Sequence, residues 1–226
     1  MPTEITITAY KYAELNERAK RKVIEWYREH SMIHEWWDSV YEHAKEDGKA
    51  QGFEIEDIRF SGFSSQGDGA HWTGHINMPT FLKANLDERS AYYGEDVILL
   101  ELWEQGWIFK DVYVQNKSYR YSHSGGMGLY EYPTEWVTSL DDDAVETLEH
   151  GVMAGARVAL LKESFTYGVD QRVNEWCDEA LIQAKKFADE IYRRLGVEYD
   201  YLTSDESIAD VCDVNGWLFN EDGDML

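Results

Sequence analysis

The segment Phe60–Ala70 has the residue types of a ligand-binding loop. It contains three glycines, three serines and one Asp before Trp72. Glycines at this spacing let a backbone approach a ligand closely, and successive amide N–H groups in such a turn cradle anions. A carboxylate between two glycines also suits a cation. The plainer interpretation is a polar strand connection in which Asp68 caps a turn. The candidate ligand-binding residues of this glycine segment are Ser61, Ser64, Ser65, Gln66, Gly67, Asp68 and Gly69.

A second segment, Tyr119–Met127, combines aromatic, basic and hydroxyl side chains, with Lys110 and Lys117 nearby. An arginine beside an aromatic platform suits a nucleotide or another anionic planar ligand. The alternative is a salt-bridged sheet face that offsets neighbouring carboxylates. We expect this histidine segment to meet the glycine segment, with Asp68 orienting a ligand or metal, Arg120 holding an anion and His123 exchanging protons near neutral pH. Its candidate residues are Arg120, Tyr121, His123 and Ser124.

Histidine spacing offers one further possibility, a metal site. His71 and His75 lie four residues apart, so they share a face and, with Asp68 and His123, have the residue types of a His/carboxylate site. The tight ligand pairs of a structural zinc module are missing, as are paired cysteines, a nucleophile elbow and a zinc-protease helix motif. The sequence therefore predicts no metal and no cofactor, and Asp68, His71 and His75 are the candidates if a metal binds.

The chain is strongly and unevenly acidic. Its 44 acidic and 21 basic residues give a formal net charge of −23, and residues 131–226 alone, with 23 acidic and seven basic residues, have −16. Acidic runs cap helices and are solvated, but a surface of carboxylates also imitates a phosphate backbone and occupies a nucleic-acid-binding groove on another protein. The candidate partner-binding residues are Asp141, Asp142, Asp143, Asp205, Glu206, Asp210, Asp213, Glu221, Asp222 and Asp224.

Periodicity indicates which elements position these residues. Helical spacing predicts a first helix that begins at Asn16 and includes Ala19–Tyr27, and further helices over 33–50, 141–163 and 169–195, the last ending at Gly196. A short helix is predicted to open at Thr203–Glu206. Strands are predicted over Thr3–Ala9, Phe53–Phe63, Val97–Trp103, Trp107–Gln115 and Tyr119–Ser124, with Trp217–Asn220 a short strand or coil. The sequence therefore predicts one α+β domain, an antiparallel β-meander of about four to five strands with helices packed on one face.

Within that domain, residues 1–52 form an N-terminal strand and two helices, residues 53–130 a β-rich core, and residues 131–226 an acidic helical part. An aromatic fraction of 14% excludes a disordered acidic chain. The charge excludes a general grip on nucleic acid or on an anionic membrane, because phosphate neutralisation needs clustered Lys and Arg. Two lone cysteines and no signal-peptide pattern predict a cytoplasmic protein with reduced thiols.

Several motifs together resemble one family. They are Glu14-Leu15 with Lys20 and Trp26, then Trp37–Glu42, Phe60–Ala70, Arg120–Ser124 and Tyr201–Glu206. This combination resembles a group of proteins of tailed phages and prophages that are labelled antitoxin of a toxin–antitoxin system. The chain departs from their pattern at His71, where a small or hydroxyl residue is usual. The resemblance implies a phage origin and a shared site at Ser61–Ala70 and Arg120–Ser124.

These observations favour a non-enzymatic phage accessory protein that binds and blocks a host protein with a basic nucleic-acid-binding surface. Such a protein works in the host cytoplasm without contacting nucleic acid or membrane itself. One alternative is a protein that binds or cleaves a nucleotide-type ligand at Gly67–Gly69. The other is an antitoxin whose acidic surface neutralises a basic toxin.

Overall fold

The fold is mixed α+β, as the sequence predicts. The computed structural model describes residues 6–30, 35–104, 108–118, 121–131, 135–136 and 166–226, with the backbone alone for 135–136 and 166–170. In chain order its elements are β1 (Tyr10–Lys11), α1 (Glu17–His30), α2 (Asp38–Ala50), β2 (Phe53–Ser61), β3 (Gly69–Ile76), α3 (Met78–Asn85), α4 (Tyr93–Glu104), β4 (Ile108–Phe109), β5 (Val112–Asn116), β6 (Met127–Glu131), β7 (Glu135–Trp136), α5 (Thr166–Leu202), α6 (Asp205–Val214) and β8 (Leu218–Phe219).

The chain divides into two compact units. Residues 1–40 and 193–226 form the terminal unit, and residues 41–192 form the central unit. α2 and α5 each contribute residues to both units. The expectation of a single domain stays a prediction, and the two units are described separately below.

An antiparallel four-stranded meander forms the sheet of the central unit. β2, β3, β5 and β6 lie side by side in chain order, and β4 pairs with β7 in a separate two-stranded sheet. Trp72 of β3 is fully buried, and its indole Nε1 donates to the carbonyl oxygen of Ala184 in α5, 3.1 Å away. The centroid of the Phe53 ring lies 5.2 Å from that of Trp72 and 5.6 Å from that of Phe187 in α5. One face of the sheet is therefore covered by α5 through aromatic packing.

The terminal unit has its own small core between α1 and α6. Asn16 caps α1, because its Oδ1 accepts from the amides of Arg18 and Ala19, and Ser204 caps α6 by accepting from the amide of Ser207. β1 pairs with β8. Both helix starts match the sequence-based prediction. The buried core residues of this unit are Tyr12, Leu15, Ala19, Val23, Ile24, Ile208, Cys212 and Phe219.

The strand predicted at Val97–Trp103 is wrong, because these residues belong to helix α4. The run is apolar on nearly every side, and such a run does not distinguish a buried helix from a buried strand. Leu99, Leu100 and Trp103 are buried in the helix. Acidic Glu95 and Asp96 in its first turn complement the helix dipole, which is the local signal that favours the helix.

Other boundaries also differ from the prediction. Residues 6–9 form no strand, and the strand lies at Tyr10–Lys11, where β8 supplies a partner. The predicted strand Trp107–Gln115 is divided by Lys110 and Asp111 into β4 and β5. The last long helix continues past Gly196 to Leu202. Strands β3 and β6 and helix α3 were not predicted, so the region 53–130 holds two helices as well as strands. The predicted helix 141–163 lies outside the described residues.

The described helices include none that is both long and apolar enough to cross a membrane. Cys177 and Cys212 are both buried and free. Burial raises the pKa of the Cys177 thiol to about 12 and that of Cys212 to about 11, so both stay protonated at neutral pH.

One buried ion pair links α4 to α5 inside the central unit. The Arg172 guanidinium donates to both carboxylate oxygens of Asp96, at 2.6 and 2.8 Å, and the Trp176 indole donates to the same carboxylate at 2.8 Å. Arg172 also reaches Glu175, at 2.6 Å, and stacks over the ring of Tyr92. Three charge-assisted bonds therefore satisfy a carboxylate that is only 3% exposed.

Replacing this carboxylate should destabilise the fold strongly. We expect Asp96→Ala to lower the free energy of unfolding by about 3–5 kcal/mol, because Arg172 is left largely buried without a counter-charge. Urea unfolding of the full chain measures the change. The matched control is Glu175→Ala, which removes a partner of the same arginine whose side chain is 46% exposed. That variant should lose about 1 kcal/mol or less, and equal losses in the two variants would contradict the assignment.

Candidate functional site

The glycine segment forms the connection between β2 and β3, and Asp68 closes it. Oδ2 of Asp68 accepts from the amides of Ser64 at 2.8 Å and Ser65 at 2.6 Å, and the Asp68 amide donates to the Ser65 carbonyl at 3.0 Å. The Ser64 and Ser65 amides are donors that could otherwise bind an anion. Their acceptor is already inside the loop, so the geometry is that of a capped turn, the plainer of the interpretations offered by the sequence.

Aromatic contacts hold this loop against α5. The Tyr192 hydroxyl donates to the carbonyl of Gly62 at 3.0 Å, and its ring stacks on Phe63 with 5.3 Å between centroids. Burial, and then the nearby Asp68 carboxylate, raise the pKa of Tyr192, which keeps the hydroxyl protonated as a donor. The loop is therefore fixed by side chains as well as by its own hydrogen bonds.

The structure brings the glycine segment and the histidine segment into direct contact. A Cβ at Gly67 would overlap the ring of Tyr121, and one at Gly69 would overlap His123. The absence of side chains at these two glycines lets the segments approach so closely. Within the histidine segment, residues 121–123 are not a strand and Ser124–Gly126 form a 3-10 turn, so the predicted strand Tyr119–Ser124 is wrong from residue 121 onward. Arg120 lies outside the described residues.

The histidine segment is stabilised by hydrogen bonds between its own residues and those before it. His123 Nδ1 accepts from the amide of Gly125 at 2.9 Å, and the Asn116 side-chain amide donates to the carbonyl of Tyr121 at 3.0 Å. The rings of Tyr121 and His123 lie 5.8 Å apart. Lys110, grouped with this patch in the sequence, is instead buried and paired with Glu131 at 3.1 Å.

Two buried polar atoms on this side of the sheet have no hydrogen-bond partner in the described part of the chain. Ser61 Oγ and His71 Nδ1 are buried and have none among the described residues. Ser61 pairs with Gly69 in the β2–β3 register and Arg59 pairs with His71, so both orphaned atoms belong to the face that the histidine segment contacts. Burial, and then the neighbouring Arg59, lower the pKa of His71, so its imidazole is neutral at neutral pH.

The metal candidates are not gathered into one site. His71 and His75 are four residues apart on an extended strand, which separates their Cα atoms by roughly 13 Å. Asp68 is used in its own turn. The described residues contain no group of three or more His, Cys, Asp or Glu side chains placed to hold a metal ion.

A different cluster surrounds His75, and of its members only His75 was singled out from the sequence. His75 Nδ1 lies 2.8 Å from Asp111 Oδ1, and its Nε2 lies 3.7 Å from Glu56 Oε1. The Tyr113 hydroxyl donates to Glu56 Oε2 at 3.1 Å, and its ring meets His75 edge-on at 4.9 Å. Burial is the largest cause of the raised pKa of Tyr113, and so this hydroxyl stays a donor.

A β-bulge creates this cluster. Ile55 pairs with Gly74 and Asp57 pairs with Thr73, so Glu56 is an extra residue in β2. The bulge turns Glu56 toward His75. Gly74 has φ +149°, and a Cβ there would overlap the Glu54 carbonyl. Beside the cluster is an open cleft of about 400 Å³ lined by Lys49, Gly52, Glu54, Ile55, Glu56, His75, Asn77 and Thr80.

The acidic candidates divide into paired and unpaired groups. Arg28 pairs with Asp205 at 2.9 Å, and Lys22 pairs with Asp224. Glu206, Asp210 and Asp213, which we call the acidic stripe, are exposed and have no ion pair among the described residues. Glu221 and Asp222 are exposed in the turn after β8. Asp141, Asp142 and Asp143 lie outside the described residues.

Comparison with known proteins identifies one family. The model of a domain of unknown function, DUF8835, matches residues 36–205, about three-quarters of the chain. The matched stretch includes the glycine segment, the histidine segment and the His75 cluster, and it ends just before the acidic stripe. No curated protein and no solved structure matches the chain.

Removing the carboxylate that closes the glycine segment should weaken the fold. We expect Asp68→Ala to cost about 1–2 kcal/mol of unfolding free energy, because the Ser64 and Ser65 amides lose their acceptor. Asp68→Asn keeps an acceptor oxygen and should lose less. Urea unfolding of the full chain compares the three proteins. Stability of Asp68→Ala equal to that of the unsubstituted chain would show that the carboxylate is free for a ligand.

The close contact of the two segments makes a second prediction. Gly69→Ala should destabilise the chain by about 1–3 kcal/mol, because the added methyl group meets the backbone of His123 and cannot rotate away. Gly94 is the matched control, since it lies in α4 with nothing within 4 Å of its Cβ position. Gly94→Ala should stabilise the helix by up to about 1 kcal/mol. Thermal unfolding measures both, and a neutral Gly69→Ala would mean that the segments are not in contact.

Proposed function

The chain belongs to the DUF8835 family, a domain of unknown function. From the charges on its surface, we propose that it is a non-enzymatic accessory protein that blocks a partner protein. The partner presents a basic, nucleic-acid-binding surface, and the acidic stripe of α6 occupies that surface in place of phosphates. The place of action is the cytoplasm of a phage host, in line with the family resemblance of the sequence.

The acidic stripe supports this proposal because of its spacing and orientation. Its three residues follow the pattern i, i+4 and i+7, which places them on one face of α6. The opposite face, with Ile208 and Cys212, is buried in the core of the terminal unit. Glu206 and Asp210 are separated by about 6 Å along the helix axis. The stripe is thus a short row of negative charges on a rigid support.

The remaining charges of the terminal unit strengthen the argument. Residues 201–226 contain seven acidic residues and no lysine or arginine. Of these seven, Asp205 and Asp224 are paired with basic residues of α1. Both pairs are exposed and contribute little to stability. What remains is a negative surface without ion pairs to the described residues, and such a surface attracts a basic partner and speeds its association.

The geometry of the glycine segment gives the nucleotide-binding alternative less support than the acidic stripe gives the blocker. Oδ2 of Asp68 and the amides of Ser64 and Ser65 satisfy one another, so these groups are not presented to a ligand. An antitoxin that neutralises a basic toxin would use the same electrostatic complementarity as a blocker of a defence protein. The two differ only in the identity of the partner.

Neutralising the stripe should abolish binding. The stripe variant combines Glu206→Gln, Asp210→Asn and Asp213→Asn, and the control variant makes the same change in charge with Glu42→Gln, Glu46→Gln and Asp189→Asn on other exposed positions. Tagged full-length proteins capture the partner from extracts of phage-infected cells at about 50 mM and about 500 mM salt. We expect capture by the unsubstituted chain and by the control variant at low salt only, and at least tenfold less capture by the stripe variant.

The captured protein must also bind duplex DNA or RNA and release it when the chain is added. Capture that survives high salt, or that the stripe variant retains, would reject the electrostatic mechanism. A captured protein that is toxic in the host and binds no nucleic acid would replace the blocker with the antitoxin function.

A further inference from the structure

We propose that the exposed part of one face of the central sheet, around His75, is a docking surface for arginine side chains of a basic partner protein. The open face is the side of the sheet opposite α5, and it includes His75, Tyr113, Tyr130, Glu54 and Glu56. This proposal rests on the proposed function, because it assumes a basic partner. It adds a second contact surface, in the other unit of the chain, and a preference for one basic residue type.

The register of the sheet places these residues in one row. Glu54 pairs with His75, His75 with Tyr113, and Tyr113 with Tyr130, so the row crosses all four strands. Tyr130 is 53% exposed, and the Glu56 side chain is 54% exposed. The row therefore combines flat rings with carboxylates on a surface that no described helix covers. Tyrosine is enriched among the residues that dominate binding energy in protein interfaces.

The carboxylates of the open face are held in position, and among the described residues Glu54, Glu56 and Asp111 have no lysine or arginine within ion-pair distance. Asp111 and Glu56 contact His75 from two sides, and Tyr113 fixes the second oxygen of Glu56. Asp57 is the exception, because it pairs with Arg59 at 2.7 Å. The adjoining cleft contains two glutamates and one lysine. The net charge around His75 and the adjoining cleft is negative, so a cationic side chain complements this surface.

Arginine fits this arrangement better than lysine. The guanidinium group is planar, so it stacks on tyrosine and histidine rings while it donates two parallel hydrogen bonds to one carboxylate. The cleft beside Glu54 and Glu56 is open to solvent, so a side chain from another protein could enter it. The β-bulge supports the same conclusion, because it places a second glutamate beside the one already opposite His75.

The test uses the full chain and a defined probe, a synthetic peptide of alternating arginine and glycine, with a lysine–glycine peptide of equal length for comparison. Isothermal titration gives the dissociation constants, and NMR follows the His75 imidazole. We expect Glu54→Gln with Glu56→Gln to weaken binding of the arginine peptide about tenfold or more. The lysine peptide should bind the unsubstituted chain several-fold more weakly than the arginine peptide.

Two further variants keep the outcome clear. Tyr130→Ala removes an exposed ring without changing charge and should weaken the arginine peptide several-fold, and urea unfolding verifies that each variant is folded. The charge-matched control is Glu42→Gln with Glu46→Gln, which should bind normally. Equal binding by the open-face variant and this control overturns the proposal. If the stripe variant loses peptide binding and the open-face variant does not, the docking proposal is overturned and the proposed function still stands. The proposed function is rejected separately if the stripe variant captures the partner normally.

Discussion

The alternation of β3 is the constraint on which the central unit depends. Trp72 must point into the core, because a fully buried indole needs an acceptor for its N–H, and the carbonyl of Ala184 in α5 supplies it. Once Trp72 points inward, its neighbours His71, Thr73 and His75 must point outward. The position of the polar residues on the open face therefore follows from the hydrophobic packing on the other face.

Local sequence patterns were enough to predict the fold class but not every element. The starts of α1 and α6 were predictable, because Asn16 and Ser204 cap the helices that immediately follow them. Helix α4 was not, because its apolar run has no clear period and its stability depends on Arg172, 76 residues away in the chain. β3 was missed because Gly69 and Gly74 are strand-breaking residues, and here they are required by a close contact and a bulge.

The candidate site, like the fold, was predictable from the sequence only in part. The contact between the glycine segment and the histidine segment agrees with the residue types, since glycines allow close approach of two backbones. The role of Asp68 was open in the sequence, because capping and ligand binding need the same residue and only the hydrogen bonds to Ser64 and Ser65 favour one of them. The His75 cluster gave almost no signal. Glu56 reaches it through a bulge, and Asp111 lies 36 residues away.

The distribution of carboxylates links the structure to the proposed role. Where a carboxylate is buried, the chain provides a full set of partners, as Asp96 shows with Arg172 and Trp176. Where basic residues of α1 are within reach, exposed carboxylates are paired as well. Within the described part of the chain, the acidic stripe and the glutamates of the open face have no lysine or arginine in an ion pair with them, although like charges on one chain repel each other and destabilise the compact state. Because stability alone would favour fewer or better paired charges, a basic partner that supplies the missing counter-charges is the simplest physical reason for both surfaces.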